Sequence, residues 1–206
     1  NMRVIAIIQA RTTSIRFPNK VLQEVCEKPL IQFLLERLEL SKKIDKIVVA
    51  IPKDQKEKIL KNKILSLGYD VHEGSKQDVL DRYYKTAKKF RADIILRVTG
   101  DCPLVDPKIA DKLINDLIKF NLDFTSNCFP PTYPDGLDLW CCTIGALEKA
   151  WKNSTLEADR EHVMSYIGNN KSFNKKNLEI KKNYSKLRWT IDEPEDFLVL
   201  KNIIEF

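Results

Sequence analysis

Apolar runs alternate with helix-like segments over the first 120 residues of the chain. The runs with strand-like composition are Val4–Ile8, Lys46–Ile51, Tyr69–His72 and Asp93–Thr99. Apolar side chains recur at helical spacing in four other segments, Pro29–Leu40, Asp54–Leu67, Asp78–Phe90 and Asp106–Phe120. The last of these begins with an Asp-Pro pair, which suits an N-cap and a first helical turn. The alternation predicts an α/β fold with a mostly parallel central sheet, helices on both faces and right-handed crossovers.

The alternation stops near Leu122. Beyond that point we predict short strands at Asp123–Ser126, Leu137–Cys142 and Leu187–Ile191, and helices at Ile144–Lys152, Ala158–Gly168 and from Pro194 onward. A proline-rich loop, Phe129–Gly136, separates the first two of these strands. At 206 residues the chain is long enough for one domain, which we place at 2–206, with 122–170 as a small excursion.

The composition indicates a soluble globular protein, since 43% of the residues are hydrophobic and 31% are charged. The apolar runs are far shorter than a membrane span and no signal peptide is visible, so we expect a cytoplasmic protein without a membrane partner. Asn1 precedes Met2 and is expected to be a cloning remnant. Five cysteines without a C-x-x-C pair, and only two histidines, favour reduced thiols over a disulfide framework or a zinc site.

The net charge of +6 is concentrated partly in Lys171–Lys186. This segment is either a nucleic-acid-binding patch or a solvated surface rich in lysine and asparagine. The second interpretation is favoured, because there is no nucleic-acid motif and few aromatic residues are interleaved. Neither G-x-G-x-x-G nor G-x-x-x-x-G-K-[ST] occurs in the sequence. A dinucleotide-binding or P-loop site is therefore not expected, and any phosphate must be bound mainly by side chains.

The segment Ala10–Lys20 follows the first predicted strand and combines cationic with hydroxyl side chains. Pro18 removes a backbone donor and disfavours helical geometry at Phe17, so the segment is predicted to be a loop. Its cations and hydroxyls are Arg11, Arg16, Lys20, Thr12, Thr13 and Ser14. Open α/β sheets bind ligands at the carboxyl ends of their strands, and fixed cations there suit a triphosphate. A solvated surface turn is the alternative interpretation.

Two aspartates follow predicted strands. Asp101 comes after Asp93–Thr99. Asp192 lies between Leu187–Ile191 and the last predicted helix. A carboxylate at the carboxyl edge of a sheet can bind Mg²⁺, which prefers oxygen ligands and substrate phosphates. An aspartate that caps a turn explains Asp101 equally well, and sequence spacing cannot show whether the two residues meet.

Three ordered motifs resemble those of the sugar cytidylyltransferases. The signature loop of that family, A-R-x-x-S-x-R-x-P-x-K, is matched by Ala10, Arg11, Ser14, Arg16, Pro18 and Lys20. Gly100–Leu104 matches G-D-x-P-L, and Ile191–Phe197 matches I-D-x-x-E-D-[LF]. Thr13 and Asn19 depart from the family pattern, since glycine is common at both positions. The resemblance is closest to the SpsF-type branch of polysaccharide biosynthesis.

The resemblance implies a single Rossmann-like nucleotidyltransferase domain, similar to the glycosyltransferase-A fold. Its implied activity is transfer of CMP from a nucleoside triphosphate, CTP, to an acidic sugar, with release of pyrophosphate. The family pattern assigns catalysis to Arg11, Arg16, Lys20 and Asp101, and a Mg²⁺ cofactor to Asp101 and Asp192. It further implies a homodimer, with 122–170 forming the dimer contact or the acceptor site. Such a transfer depends on positioning and electrostatic stabilisation rather than on a nucleophile triad.

Three further segments match the SpsF branch, and each also has a purely structural interpretation. Ser75 and Arg82 are implied to contact the base or a phosphate, or they belong to a capped amphipathic helix. Asp138 follows a Pro-Asp-Gly turn and is implied to face the acceptor sugar. Arg160 and His162 are implied to contact the acceptor or a second subunit, or His162 packs within its helix.

Two functions other than cytidylyl transfer stay open at this point. A glycosyltransferase would use a similar sheet to bind a nucleotide-sugar and would release a nucleoside diphosphate rather than pyrophosphate. A nucleotide-binding module without catalysis would bind the nucleotide and turn nothing over. A nucleic-acid partner is not expected.

Overall fold

The computed structural model describes residues 2–206, which form nine strands and eight α-helices. Asn1, which is expected to be a cloning remnant, lies outside the described residues. The strands are β1 (Val4–Gln9), β2 (Glu24–Val25), β3 (Lys28–Pro29), β4 (Lys46–Pro52), β5 (Asp70–Gly74), β6 (Ile94–Thr99), β7 (Phe124–Ser126), β8 (Trp140–Thr143) and β9 (Lys175–Asn177). The helices are α1 (Leu30–Glu39), α2 (Lys58–Ser66), α3 (Val79–Lys89), α4 (Pro107–Lys119), α5 (Ile144–Asn153), α6 (Glu157–His162), α7 (Ser165–Asn169) and α8 (Pro194–Glu205). Short 3₁₀ turns cover Lys20–Leu22 and Gln55–Glu57.

Seven of the strands form one sheet in the order β5-β4-β1-β6-β8-β7-β9, and β2 and β3 form a separate hairpin. The pairs β1–β4, β1–β6, β4–β5 and β7–β9 are parallel. Strand β8 runs antiparallel to both of its neighbours, β6 and β7. The prediction of a mostly parallel sheet is therefore confirmed, and its antiparallel part lies where the strand–helix alternation breaks down.

Successive residues of β1 point to opposite faces of the sheet and enter different cores. Ala6 and Ile8 are fully buried against α1 and α4, while Ile5 and Ile7 are fully buried against α3 and α5. A strand that is buried on both faces reads as a continuous apolar run rather than as an alternating one. The predicted helices on both faces are thus confirmed. No helix within residues 2–206 is both long enough and apolar enough to cross a membrane.

Two predicted elements differ in the structure. The helix predicted at Ala158–Gly168 is interrupted by Val163, whose φ is 60° and whose side chain is completely buried. Burial of Val163 in the core beneath α3 and α5 outweighs the strain of that backbone conformation. Leu187–Ile191 does not join the sheet. It forms only an isolated bridge to Asp135, with the Trp189 N–H donating to the Asp135 carbonyl at 2.7 Å.

A close approach between two chain segments builds the carboxyl edge of the sheet. The Gly100 N–H, just after β6, donates to the carbonyl of Gln9 at the end of β1 at 2.8 Å. A Cβ at Gly100 would lie 2.9 Å from that carbonyl oxygen and 3.0 Å from the Cβ of Ala10. Glycine therefore allows the turn that carries Asp101 to pack directly against the start of the first loop.

Candidate active site

A cavity of about 490 Å³ opens where β1 and β6 end. Nine of the twelve residues singled out in the sequence line it: Ala10, Arg11, Ser14, Arg16, Lys20, Arg82, Asp101, His162 and Asp192. The first loop thus lies at the carboxyl edge of a parallel sheet, where open α/β folds bind their ligands. The structure brings the cations and the two aspartates together in one concave site.

Lys20 joins the two aspartates of the site. Its Nζ lies 3.1 Å from Asp192 Oδ1 and 3.5 Å from Asp101 Oδ2, and only 11% of its side chain is exposed. Arg16 forms a second ion pair with Asp192. Two carboxylates separated by 91 positions therefore converge on a single ammonium group, a meeting that their spacing alone cannot show.

The Asp192 carboxylate is held in its ionised form. Burial of Asp192 disfavours the charge, but the hydrogen bond and charge of Lys20, together with Arg16, outweigh it, so the pKa of Asp192 lies below its ordinary value. An ionised carboxylate is the form that binds a divalent cation.

The backbone around Asp192 is fixed by Asp196, in the first turn of α8. Oδ2 of Asp196 accepts hydrogen bonds from the N–H groups of Asp192 at 2.9 Å and of Glu193 at 2.8 Å. Arg188 binds the same carboxylate through Nε at 2.7 Å and Nη2 at 2.9 Å. These contacts, led by the Arg188 hydrogen bond, lower the pKa of Asp196 to about 2. Asp196 is thus a structural carboxylate that positions Asp192.

The Asp101 turn is tied to the chain just before Asp192. The carbonyl of Asp101 accepts from the N–H of Ile191 and from Oγ1 of Thr190, both at 2.9 Å. These bonds involve the backbone of Asp101 and leave its carboxylate facing Lys20 and the cavity. The segment before Asp192 therefore reaches the site through hydrogen bonds to a turn rather than through sheet pairing.

The donor set at Asp101 and Asp192 fits Mg²⁺. Within residues 2–206 there is no group of three or more His, Cys, Asp or Glu side chains that would form an all-protein metal cage. Mg²⁺ does not need such a cage, because it usually takes one or two carboxylates and completes its shell with waters and substrate phosphates. The ammonium of Lys20 between the two carboxylates shows that the potential there already attracts a cation.

Glu57, which the sequence analysis did not single out, anchors the first loop. Its side chain is almost fully buried and accepts three hydrogen bonds: from Thr12 N at 2.8 Å, Thr12 Oγ1 at 3.0 Å and Thr13 Oγ1 at 3.3 Å. The hydroxyl of Thr13, which replaces a glycine common in the resembled family, is thereby used to hold the loop. Asn19, the other such position, has a φ of 58° in the left-handed region.

Glu57→Ala is expected to lower the melting temperature and to weaken about tenfold the binding of CTP, the nucleotide that the family resemblance implies. It leaves the buried Thr12 N–H without an acceptor, which costs roughly 1–3 kcal/mol. Glu57→Gln is expected to retain most of the affinity, because an amide can accept from Thr12 and donate to Thr13. Calorimetric titration with CTP measures both variants, and Glu179→Ala, at an exposed glutamate, is the control. Unchanged CTP affinity in Glu57→Ala would contradict the anchoring role.

The structure places Ser75, Asp138 and Arg160 outside the lining of the cavity. Oγ of Ser75 accepts from the N–H of Asp78 at 3.0 Å, before α3. Arg160 donates to Oδ2 of Asp78 through Nε and Nη2, at 2.9 and 2.6 Å. Burial first, and then the charges of Asp135 and Asp101, raise the pKa of Asp138 to about 6. For these three residues, ligand binding stays a prediction.

Arg97 is a cavity residue that the sequence analysis missed. It lies in the middle of β6, is 6% exposed, and places its guanidinium 4.5 Å from the ring centre of Trp140 and 5.7 Å from that of Tyr83. Its Nη2 donates to Oε1 of Gln9 at 2.8 Å. A sequence signal for it does exist, since an arginine inside an otherwise apolar, buried strand is unusual.

Comparison with known proteins gives matches over nearly the whole chain. A family model described as cytidylyltransferase matches residues 5–201. An uncharacterised protein, MJ1063 of Methanocaldococcus jannaschii, is 41% identical over 199 residues, which are 95% of this chain and 81% of that protein. The spore coat polysaccharide biosynthesis protein SpsF of Bacillus subtilis is 30% identical over 210 residues, covering 98% and 86% of the two chains. A 3-deoxy-manno-octulosonate cytidylyltransferase of Geobacter sulfurreducens is 33% identical over 118 residues, covering 56% of this chain and 46% of that protein.

Solved structures show the same fold. A cytidylyltransferase from Leptospira borgpetersenii superposes with a TM-score of 0.94 at 35% identity, over 100% of this chain and 87% of that one. A CMP:2-keto-3-deoxy-manno-octonic acid synthetase, in complex with CTP, superposes with a TM-score of 0.78 over 98% of both chains. At 16% identity, the second likeness concerns the fold alone.

Proposed function

The chain belongs to the cytidylyltransferase family, and from this premise we propose that it transfers CMP from CTP to an acidic sugar, releasing pyrophosphate, in polysaccharide biosynthesis. The observation that carries the proposal is the convergence of Arg11, Arg16 and Lys20 with Asp101 and Asp192 in one cavity. Cations for a triphosphate and carboxylates for a divalent metal are the two groups that nucleotidyl transfer requires.

The three cations bind and stabilise the triphosphate. Arg11 and Arg16 are exposed, whereas Lys20 is buried beside the carboxylates. Their fixed charges neutralise the negative charge that accumulates on pyrophosphate as its bond to the α-phosphorus breaks. Asp101 and Asp192 would hold Mg²⁺, which supplies Lewis-acid stabilisation of the phosphate oxygens.

The thiol beside Asp101 is not suited to act as a covalent nucleophile. Cys102, next to Asp101, is the nearest thiol in sequence, but burial raises its pKa well above the ordinary value and keeps it protonated. In the proposed reaction the sugar oxygen attacks the α-phosphorus directly, in line with the departing pyrophosphate. Positioning and electrostatics account for the rate, as in other phosphoryl transfers.

The acceptor class follows from the relatives' names and from the charge of the cavity. The matched Geobacter protein is a cytidylyltransferase for 3-deoxy-manno-octulosonate, a sugar acid, and SpsF takes part in polysaccharide synthesis. Besides the loop cations, Arg82 and Arg97 also line the cavity. Such a site favours an anionic acceptor over a neutral one.

A pyrophosphate-release assay tests the proposed function. The protein is incubated with CTP, Mg²⁺ and each of several sugar acids, including 3-deoxy-manno-octulosonate, and the products are identified by mass spectrometry. Pyrophosphate and a CMP-sugar should form in equal amounts. In a parallel incubation with a nucleotide-sugar in place of CTP, release of a nucleoside diphosphate would instead identify a glycosyltransferase. CTP binding without turnover on any sugar acid would identify a non-catalytic module.

A further inference from the structure

Two arginines of the cavity carry buried nitrogens without hydrogen-bond partners. Within residues 2–206, Nε and Nη1 of Arg82 and Nε of Arg97 are shielded from solvent and bind no acceptor. The two residues are only 3% and 6% exposed, respectively. Neither forms an ion pair with a carboxylate of the described chain. A buried guanidinium group that lacks hydrogen-bond acceptors and a paired carboxylate destabilises the protein, unless a bound ligand supplies the acceptors and the negative charge.

No neighbouring carboxylate of the described residues forms a hydrogen bond or an ion pair with either arginine. The Tyr83 hydroxyl donates to the carbonyls of Ile7 and Val98 and stays protonated, because burial raises its pKa to about 12, although both guanidinium charges act in the opposite direction. Burial first, and also the charge of Arg11, lower the pKa of Arg82, while Glu57 acts the other way. The hydrogen bonds of Glu57 go to Thr12 and Thr13 rather than to Arg82.

Arg97 lines the cavity from β6 rather than from the first loop, and its Nη2 donates to Oε1 of Gln9 at the end of β1. Its guanidinium is held over the rings of Trp140 and Tyr83, which belong to the core between the sheet and α3 and α5. The first loop already provides three cations for the polyphosphate, whereas Arg97 provides a guanidinium group whose position is fixed by two aromatic rings. A guanidinium fork matches the two oxygens of a carboxylate.

We propose that Arg97, with Arg82 beside it, binds the carboxylate of the acceptor sugar and so selects acidic acceptors. This assignment rests on the proposed function and adds a specificity-determining residue to it. The aromatic rings under Arg97 orient its fork and exclude water, which strengthens a charge-assisted hydrogen bond. The carboxylate would supply the negative charge that the buried guanidinium groups lack.

Tryptophan fluorescence tests the site without requiring turnover, because Trp140 stacks on Arg97. The protein without nucleotide is titrated with 3-deoxy-manno-octulosonate, its methyl ester, pyruvate and inorganic phosphate. Arg97→Met keeps the length and the apolar contacts of the side chain, and Arg97→Lys keeps its charge but not the two parallel N–H donors of the guanidinium group. Arg3→Met, at an exposed arginine, is the control. CTP affinity is measured for each protein in parallel.

The wild type should bind the two carboxylates and not the ester. Arg97→Met should weaken carboxylate binding about 10- to 100-fold, Arg97→Lys should weaken it less, and both should keep CTP affinity within about twofold. If Arg97→Met does not fold, Arg97→Lys and Arg82→Met decide the question. The proposal is overturned if the wild type binds no carboxylate, if it binds phosphate in their place, or if Arg97 variants lose CTP and keep the acid. Failure of the wild type to bind CTP would instead count against the proposed function.

Discussion

Asp101→Asn should lower kcat about a thousandfold, which is the loss of roughly 4 kcal/mol of transition-state stabilisation. The substitution removes one of the two charges that would hold Mg²⁺ while keeping the shape of the side chain. The fold should survive, because the structural bonds of Asp101 are made by its backbone carbonyl to Thr190 and Ile191. The measurements are the rate of pyrophosphate release at saturating CTP and Mg²⁺, and the melting temperature.

Asp106→Asn is a matched control for this variant. Asp106 lies in the same stretch of chain and caps α4 by accepting from the Lys108 N–H at 2.8 Å. Asparagine is as good an N-cap as aspartate, so both activity and stability should be unchanged. Normal Mg²⁺-dependent turnover in Asp101→Asn would contradict the metal assignment.

Lys20→Met should lower kcat/KM about a hundredfold. At the same time, it should lower the concentration of Mg²⁺ that half-maximal activity requires. In the proposed mechanism Lys20 stabilises the charge of the leaving pyrophosphate, which methionine cannot do. Its removal also leaves Asp101 and Asp192 without the ammonium group that lies between them. The concentration of Mg²⁺ needed for half-maximal activity should therefore fall while turnover decreases.

Initial rates across a Mg²⁺ series, at fixed CTP, measure both effects of Lys20→Met. Lys43→Met, at an exposed lysine before β4, is the control and should behave as the wild type. A variant that needs more Mg²⁺ than the wild type, or that turns over normally, would show that Lys20 does not share the carboxylates with the metal.

Local chemistry in the sequence predicts a large part of this fold and site. The apolar run of β1 and the polar, cationic loop after it identify the sheet edge, because strand composition and proline act over a few residues. Asp106 and Pro107 predict the start of α4 for the same reason, and the structure has that helix at Pro107–Lys119. The place of Asp101 directly after a strand predicts that it lies at the carboxyl edge of the sheet, whereas its role as a metal ligand is what the family resemblance implies.

The contacts that the sequence does not predict are long-range ones. Glu57 reads as an ordinary helical glutamate, and nothing local connects it to a loop 45 positions earlier. Val163 breaks a regular helical pattern because a tertiary core takes its side chain, which local propensity cannot anticipate. The meeting of Asp101 with Asp192 depends likewise on hydrogen bonds that only the folded chain provides.

A thermal-shift panel with CTP, UTP, GTP and ATP, each with and without Mg²⁺, tests the central claim most directly. A ligand that binds only the folded state stabilises it by about 2.7 kcal/mol at a hundred times its Kd, which is a readily measured rise in melting temperature. The account predicts the largest shift with CTP, and a smaller one when Mg²⁺ is omitted. A protein whose melting temperature does not move with any of the four nucleotides would contradict the assignment of this cavity as a cytidylyl-transfer site.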